Sequence, residues 1–303
     1  MKLVKFSYSP ILGWSFSRYG MFSSCKRQYW YNYYAKYDRE FPLNVIDLQK
    51  KLTSRHLEVG SISHYIIAEA LKWSARNKSI PSYEKMLLKL EKEEKELFAK
   101  DFYEVYYREM DGIPKEEILE KVKLALKNVV ESGKLNWVFE NSIKNSDGWL
   151  VEPDGYGETK IGGLKAYCKV DFLFSIGDKV HIIDWKSGKK KESHIEQLLG
   201  YATFASYHFR KPIDKIETTV SYILPEYEEK TVIFNQTDLD EFPNRVKRET
   251  EEMYSYLVDI EQNKPKTKDN FPMTENIRTC KFCNYKELCK RDEIVKVSND
   301  DEF

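Results

Sequence analysis

Residues 166–191 read AYCKVDFLFSIGDKVHIIDWKSGKKK, and this pattern predicts two strands joined by a short turn. Val170, Phe172 and Phe174 belong to the first strand, Ile176-Gly177-Asp178-Lys179 to the turn, and Val180, Ile182 and Ile183 to the second strand. Asp171 falls inside the first strand, while Asp184 and Lys186 fall at the end of the second. Charges at such positions are costly to bury unless something there requires them. Asp184 and Lys186 are two residues apart, so an extended backbone points both to one face. Carboxylates able to hold a hard divalent cation, with an ammonium beside them, are a minimal set for cleaving a phosphodiester.

The flanking sequence is organised around this hairpin. Ser15 or Ser17 can cap a helix running to about Lys36, with Cys25 in its middle. Its aromatics, Tyr29, Trp30, Tyr33 and Tyr34, recur at helical spacing and read as core packing. A second helix is predicted from near Asp47. Gly60 predicts a turn and Ser61 the start of a third helix, SISHYIIAEALKWSA, which carries His64. The stretches 82–109 and 114–138 are long, charge-rich and helical, with solvated faces of paired Lys and Glu. From Trp149 the pattern changes to short strands punctuated by Gly155, Gly157, Gly162 and Gly163. After the hairpin a helix is expected over about 193–209, with Gln197 and Tyr201 on one face. Strands over about 217–224 and 229–234 flank Pro225, and a helix from Asp238 or Asp240 reaches about Asn263. The segment from Lys264 reads as loop until the cysteines. This order predicts an α/β architecture: helices over 1–145, a mixed-sheet core over 146–263, and a cysteine segment over 264–303 that closes onto the first region.

Composition narrows the function classes. The chain has 303 residues, 41% of them hydrophobic, enough for a substantial core. Its 49 basic and 49 acidic side chains cancel, so any nucleic-acid surface must be local rather than global. No apolar run approaches the roughly 18 residues of a membrane span, and no signal-peptide pattern opens the chain, so a cytoplasmic location is expected. No Gly-x4-Gly-Lys-Ser/Thr loop occurs, so ATP-driven unwinding would have to come from a partner.

Five cysteines form the second signal. Cys280, Cys283 and Cys289 are spaced Cys-x2-Cys-x5-Cys, which lets three thiolates converge on one metal centre. Cys25 is the natural fourth ligand, because Cys168 sits in the strand that holds Asp171 and reads as buried packing. The ligand set would then staple the two ends of the chain together. Disulfides are rare in the cytosol, and the spacing alone leaves zinc and an iron–sulfur cluster open.

Together these residues resemble the RecB-like branch of the PD-(D/E)XK nucleases, and more narrowly its iron–sulfur members, the CRISPR-associated four-cysteine exonucleases and AddB-type nuclease domains. The resemblance spans about Cys25 to Cys289. It implies a restriction-endonuclease-like core and a [4Fe–4S] cluster on Cys25, Cys280, Cys283 and Cys289, with zinc the lesser alternative. Gly60 to His64 matches the family's Gly-x3-His motif, Asp171 its first acid, Asp184-Trp185-Lys186 its (D/E)-x-K motif, and Gln197 with Tyr201 its Gln-x3-Tyr motif. Where many relatives have Gly-Arg-x-Asp, this chain has Cys168-Lys169-Val170-Asp171, and Asp184 stands where many have Glu. The literal Pro153-Asp154 lies in Gly-rich sequence and reads as a decoy.

The resemblance implies a metal-dependent DNA exonuclease acting on single strands or free ends, in repair, CRISPR adaptation or phage defence, with a helicase or adaptation protein as possible partner. His64, Asp171 and Asp184, with the Trp185 carbonyl, would hold Mg²⁺ or Mn²⁺, the imidazole favouring Mn²⁺. The cation would acidify a water and offset phosphate charge, and Lys186 would hold that water or stabilise the developing charge. Gln197 and Tyr201 would orient Lys186 or the phosphate, and Lys189, Lys190 and Lys191 would contact the DNA backbone. Simpler readings exist for each piece: a hydrogen-bonded helix histidine, a strand-end Asp184–Lys186 salt bridge, and a solvated lysine turn. Two rival functions follow from them, a non-catalytic DNA-binding or scaffolding module and a zinc-stapled nucleic-acid adaptor.

Overall fold

The computed structural model describes residues 6–153 and 157–290. Asp154 of the Pro153-Asp154 pair and Gly155 lie outside the described residues.

The first predicted helix is two helices, α1 (Phe16–Ser24) and α2 (Lys26–Tyr34). Ser15 caps α1 as expected, accepting from the Arg18 N–H at 3.1 Å. The break is at Cys25, whose extended backbone (φ −157°, ψ 112°) ends one helix and starts the next. Its sulfur accepts from the Gln28 N–H at 3.4 Å, the position of an N-cap oxygen. Next come α3 (Leu43–Lys51) and α4 (Arg55–Asn77). Gly60 is therefore no turn: α4 begins at the Ser54 cap and runs straight through it. A Cβ at Gly60 would lie 2.9 Å from Ser187 Oγ, so the absent side chain lets α4 approach the residue after Lys186. The charge-rich stretches divide into α5 (Tyr83–Leu97), α6 (Tyr103–Tyr106), α7 (Lys115–Glu131) and α8 (Lys134–Ser142). Left-handed Gly133 (φ 72°) separates the last two.

The strands are β1 (Leu150–Val151), β2 (Glu158–Ile161), β3 (Leu164–Tyr167), β4 (Phe172–Ile176) and β5 (Lys179–Lys186). Helix α9 (Glu192–Phe209) then leads to β6 (Ile216–Tyr222) and β7 (Glu228–Val232). Helix α10 (Gln236–Tyr254) opens on a capping box between Asn235 and Asp238. It stops short of the expected Asn263, because residues 257–265 form a small hairpin of β8 (Leu257–Asp259) and β9 (Lys264–Pro265). A short α11 (Ile277–Lys281) follows.

The main sheet has the order β1-β4-β5-β6-β7. β5 and β6 are parallel and joined through α9, while the other pairs are antiparallel. β5 is central and buried on both faces. Phe172, Phe174, Ile183 and Trp185 pack toward Ile62 and Ile66 of α4 and Val122 and Leu126 of α7. Leu173, Val180 and Ile182 pack toward Leu198, Ala202 and Ala205 of α9. That second core also takes Trp30, Tyr31 and Tyr34 with Phe271, Tyr285 and Leu288, so the α2 aromatics are interior packing. The architecture is the α/β mixed sheet flanked by helices that the sequence predicts.

Candidate active site

Alternation along β5 sends Asp184 and Lys186 to the α9 face, the same side as Ile182. Asp184 is 1% exposed, and its Oδ2 lies 2.7 Å from Lys186 Nζ. That contact is an ion pair without hydrogen-bond alignment, so Asp184 Oδ2 has no hydrogen-bond partner among the described residues. Asp171 stands one residue ahead of β4 rather than inside it. Its Oδ2 accepts from the Trp185 N–H at 2.9 Å, which ties the first acid to the middle of the Asp-x-Lys motif. From α4, His64 Nδ1 reaches to 3.5 Å from the same oxygen. On α9, the Gln197 amide donates to the buried Tyr201 hydroxyl at 2.7 Å. His64, Asp171, Asp184, Trp185 and Lys186 are thus brought together from α4 and the ends of β4 and β5.

The electrostatics follow from packing four ionisable groups, Asp171, Asp184, Lys186 and His64, where water is scarce. Burial, then the Asp171 charge, raises the Asp184 carboxyl to about 6, against the pull of Lys186 and His64. Asp171 goes the other way: burial opposes its charge, but His64, Lys186 and the Trp185 N–H together hold it below the ordinary value. Burial works against an imidazolium at His64, yet Asp171 and then Asp184 outweigh it and raise that pKa. Burial, with the Asp184 and Asp171 charges behind it, keeps Tyr201 a neutral phenol. Two carboxylates pushed apart in this way make the cluster a candidate site.

Glu152 was not foreseen. It follows β1, and its N–H donates to the Asp171 carbonyl at 2.8 Å. His64, Glu152 and Asp171 each offer a ligand atom, all within 4.8 Å of one another. The rule that singles out Asp184, an acid at a strand end, applies equally to Glu152. A two-residue strand, however, leaves no periodicity to read. Beside Lys186, His194 Nδ1 lies 3.1 Å from the Tyr222 hydroxyl, and burial, Lys186 and Lys191 keep the ring's pKa low. Of the lysine run, Lys190 is ion-paired with Glu228 and lies over the Tyr222 ring.

No disulfide joins the cysteines among the described residues, and Cys25 and Cys168 are buried. Burial pushes the Cys283 thiol up to about 12, with further upward contributions from Cys289, Cys25 and Cys280. Among the described residues, no three cysteine sulfurs lie within 4.8 Å of one another. Zinc bound at ~2.3 Å would draw tetrahedral thiolates to about 3.8 Å apart. Cys168 donates weakly to the Gly200 carbonyl at 3.8 Å and is core.

A family model described as the PD-(D/E)XK nuclease superfamily matches residues 13–290. The chain belongs to that superfamily. Its members are nucleases that use Mg²⁺ or Mn²⁺. The residues fit such an ion: a buried carboxylate oxygen without a hydrogen bond, two further carboxylates and one imidazole suit a hard or borderline cation. No curated protein matches the chain. Among solved structures it is similar to "Crystal structure of SSO0001", at 18% identity over 62% of this chain and 78% of that chain. The TM-score of that match is 0.28. No helix among the described residues is long and apolar enough to cross a membrane.

Proposed function

We propose that this superfamily member is a deoxyribonuclease of the RecB-like branch, working as an exonuclease on single-stranded DNA or DNA ends. The observation that carries the reading is the buried Asp184 carboxylate, held 2.7 Å from the partly exposed Lys186 beside Asp171 and His64. A fold kept only for binding or scaffolding has no use for so costly an arrangement. When bound, a divalent cation supplies Lewis acidity toward a phosphate oxygen and an acidified water.

The chain's own groups do the rest. Asp171, Asp184 and His64, with the Trp185 carbonyl, would hold the cation. Lys186 donates to the attacking water or to the phosphate oxygen on which charge develops. The Trp185 N–H fixes the rotamer of Asp171. Gln197 and Tyr201, locked to each other, present one neutral polar pair from α9 toward Lys186 or the phosphate. Lys189 and Lys191 supply backbone charge contacts.

We also assign Cys25, Cys280, Cys283 and Cys289 to a [4Fe–4S] cluster. Support for it comes from the Cys-x2-Cys-x5-Cys spacing and from the influence of Cys289, Cys25 and Cys280 on the Cys283 thiol. Action in CRISPR adaptation, repair or phage defence, beside a helicase or adaptation-complex partner, completes the proposal.

The test is cleavage of end-labelled single-stranded DNA by anaerobically purified protein with Mn²⁺ or Mg²⁺, beside Lys186→Ala. Metal-dependent cutting lost in the variant supports the nuclease, and the product ladder gives its polarity. Rapid cutting of closed circles would sink the exonuclease assignment. Tight DNA binding without cutting by the wild type would favour the binding module instead.

A further inference from the structure

We propose that the sheet carries a second binding site on its reverse face, a pocket for one uncharged planar heterocycle of the nucleobase class. The choice of a base among flat heterocycles rests on the nuclease reading above; the pocket itself does not. A cavity of about 340 Å³ opens between the α7–α8 junction and strands β5, β6 and β7. That volume is at the small end of the range that takes small molecules. β5 contributes His181 and Ile183, which alternate with Asp184 and Lys186, so the cavity and the catalytic cluster lie on opposite faces of one strand.

Three rings build an aromatic corner. Phe174 and His181 stack at 5.3 Å and 20°, and Trp137 of α8 stands across them at 74° and 78°. Trp137 remains 37% exposed, its indole left against the cavity. A flat ring entering the corner meets one ring face-on and another edge-on, both favoured aromatic geometries.

The polar lining selects the kind of ring. Glu217 is ion-paired with Lys179, and Glu229 takes Lys134 at 3.0 Å and the Tyr227 hydroxyl at 2.9 Å. The Lys134 ammonium also lies 4.6 Å from the Trp137 ring centroid. Burial lowers the His181 pKa against the upward pull of Glu217, so that imidazole is neutral near pH 7. Two acids and two lysines are thus engaged with each other, and the lining has no net field for a free phosphate or ammonium. It offers hydroxyls instead: Thr219 and Thr231 meet across β6 and β7 at 2.9 Å on the floor. A hydroxyl donates or accepts by rotating, which suits the mixed donors and acceptors of a base edge. Glu217 and Glu229 bound the two ends. Glu229 pairs with Ser221, four residues beyond Glu217 on β6, so the acids stand about 13 Å apart along the strands, room for one bicyclic ring.

The test reads Trp137 directly. Full-length, metal-free protein labelled with 5-fluorotryptophan gives a fluorine resonance for each of its six tryptophans, and Trp137→Leu identifies the one that matters. The four 2′-deoxynucleosides and their 5′-monophosphates are titrated in to millimolar concentration. Saturable movement of the Trp137 resonance by at least one nucleoside, with its monophosphate binding no tighter, supports the pocket. Calorimetry should show that binding lost in Trp137→Leu and weakened about tenfold when Thr219→Val and Thr231→Val are combined. Thermal unfolding identifies a variant that does not fold, and the wild-type resonance then decides alone. Single-stranded tetranucleotides separate the two sources of a base: tighter binding at Trp137 than the nucleoside assigns it to a strand, equal or weaker binding to a free nucleoside. A Trp137 resonance that no nucleoside moves overturns the proposal, as does binding retained in Trp137→Leu or a monophosphate that binds tighter than its nucleoside. DNA cutting by a protein whose Trp137 resonance stays still overturns the pocket and leaves the nuclease standing. Movement of Trp137 without any cutting does the reverse.

Discussion

Replacing Asp184 by Asn should make the metal-free protein more stable, although it removes the residue nearest Lys186. The folded-state carboxyl titrates at about 6, against an ordinary value of 3.8. Because that pKa is raised on folding, the group's contribution to stability is fully present below about pH 4 and is lost as pH climbs through about 6. Two units of displacement correspond to about 3 kcal/mol of destabilisation above pH 6. Lys186 loses its counter-charge in the variant, but it is 21% exposed and can turn to water. That loss reduces the expected net gain to about 1–2 kcal/mol, or a rise in Tm of about 2–4 °C for a chain of this size. Asp171 does not blur the window: its pKa is depressed, so its contribution disappears only at more acidic pH. The assay is thermal unfolding in chelator from about pH 3.5 to about 8. The advantage of Asp184→Asn should open between about pH 4 and about 6 and level off above that, and saturating Mg²⁺ should erase it by stabilising the wild type more. A variant less stable than wild type at pH 7.5 in chelator would refute the reasoning, as would an advantage that does not change with pH.

Three more outcomes are expected. Lys186→Ala should abolish cutting, by at least about 100-fold, while binding Mn²⁺ as wild type does in calorimetry; loss of ion binding would make Lys186 a structural partner of Asp184 instead. Gly60→Val should push α4 off Ser187 and displace the residue after Lys186, and a shift of ~1 Å can cost about 100-fold in rate; unchanged kcat/KM would show that the close approach is incidental. Cys283→Ser should bring iron and sulfide, measured chemically after anaerobic purification, to background, with a Tm lower by several degrees; wild type isolated with zinc in place of iron would remove the cluster assignment.

The hairpin was legible because its two strands alternate cleanly and the turn contains Gly177, which sits at φ 60°. The shared face of Asp184 and Lys186 follows from strand geometry alone, and it appears as a 2.7 Å contact. Gly60 was misread because a glycine before a Ser–His segment looks the same whether it opens a helix or clears space inside one. Only the distant Ser187 distinguishes the two. The break at Cys25 is equally invisible locally. The sequence around it has helical spacing, and the break places a buried cysteine at the N-cap of α2. The β8–β9 hairpin and β1 are too short to show a period, and with β1 went Glu152. What one element contains was readable; what one element must make room for was not.

The cysteine segment has a second mechanical consequence. α4 carries His64, and the start of α4 is hydrogen-bonded to the segment between Cys280 and Cys289. Asn284 donates its amide to the Leu52 carbonyl at 2.8 Å, two residues before the Ser54 cap. Tyr107 donates to the Asn284 carbonyl at 2.7 Å, and Tyr103 donates to the Lys281 carbonyl. Thr53 is in turn bridged to the segment before α6, accepting from the Tyr103 N–H and donating to the Asp101 carbonyl. The segment between Cys280 and Cys289 is thus tied to the chain just ahead of α4 and to α6. A rigid helix passes that position on to His64, because its rise per residue is fixed at ~1.5 Å. Loosening the C-terminal segment would thus reach the site by letting α4 slide against Ser187 and His64 drift from Asp171. No ligand in the catalytic set would have changed.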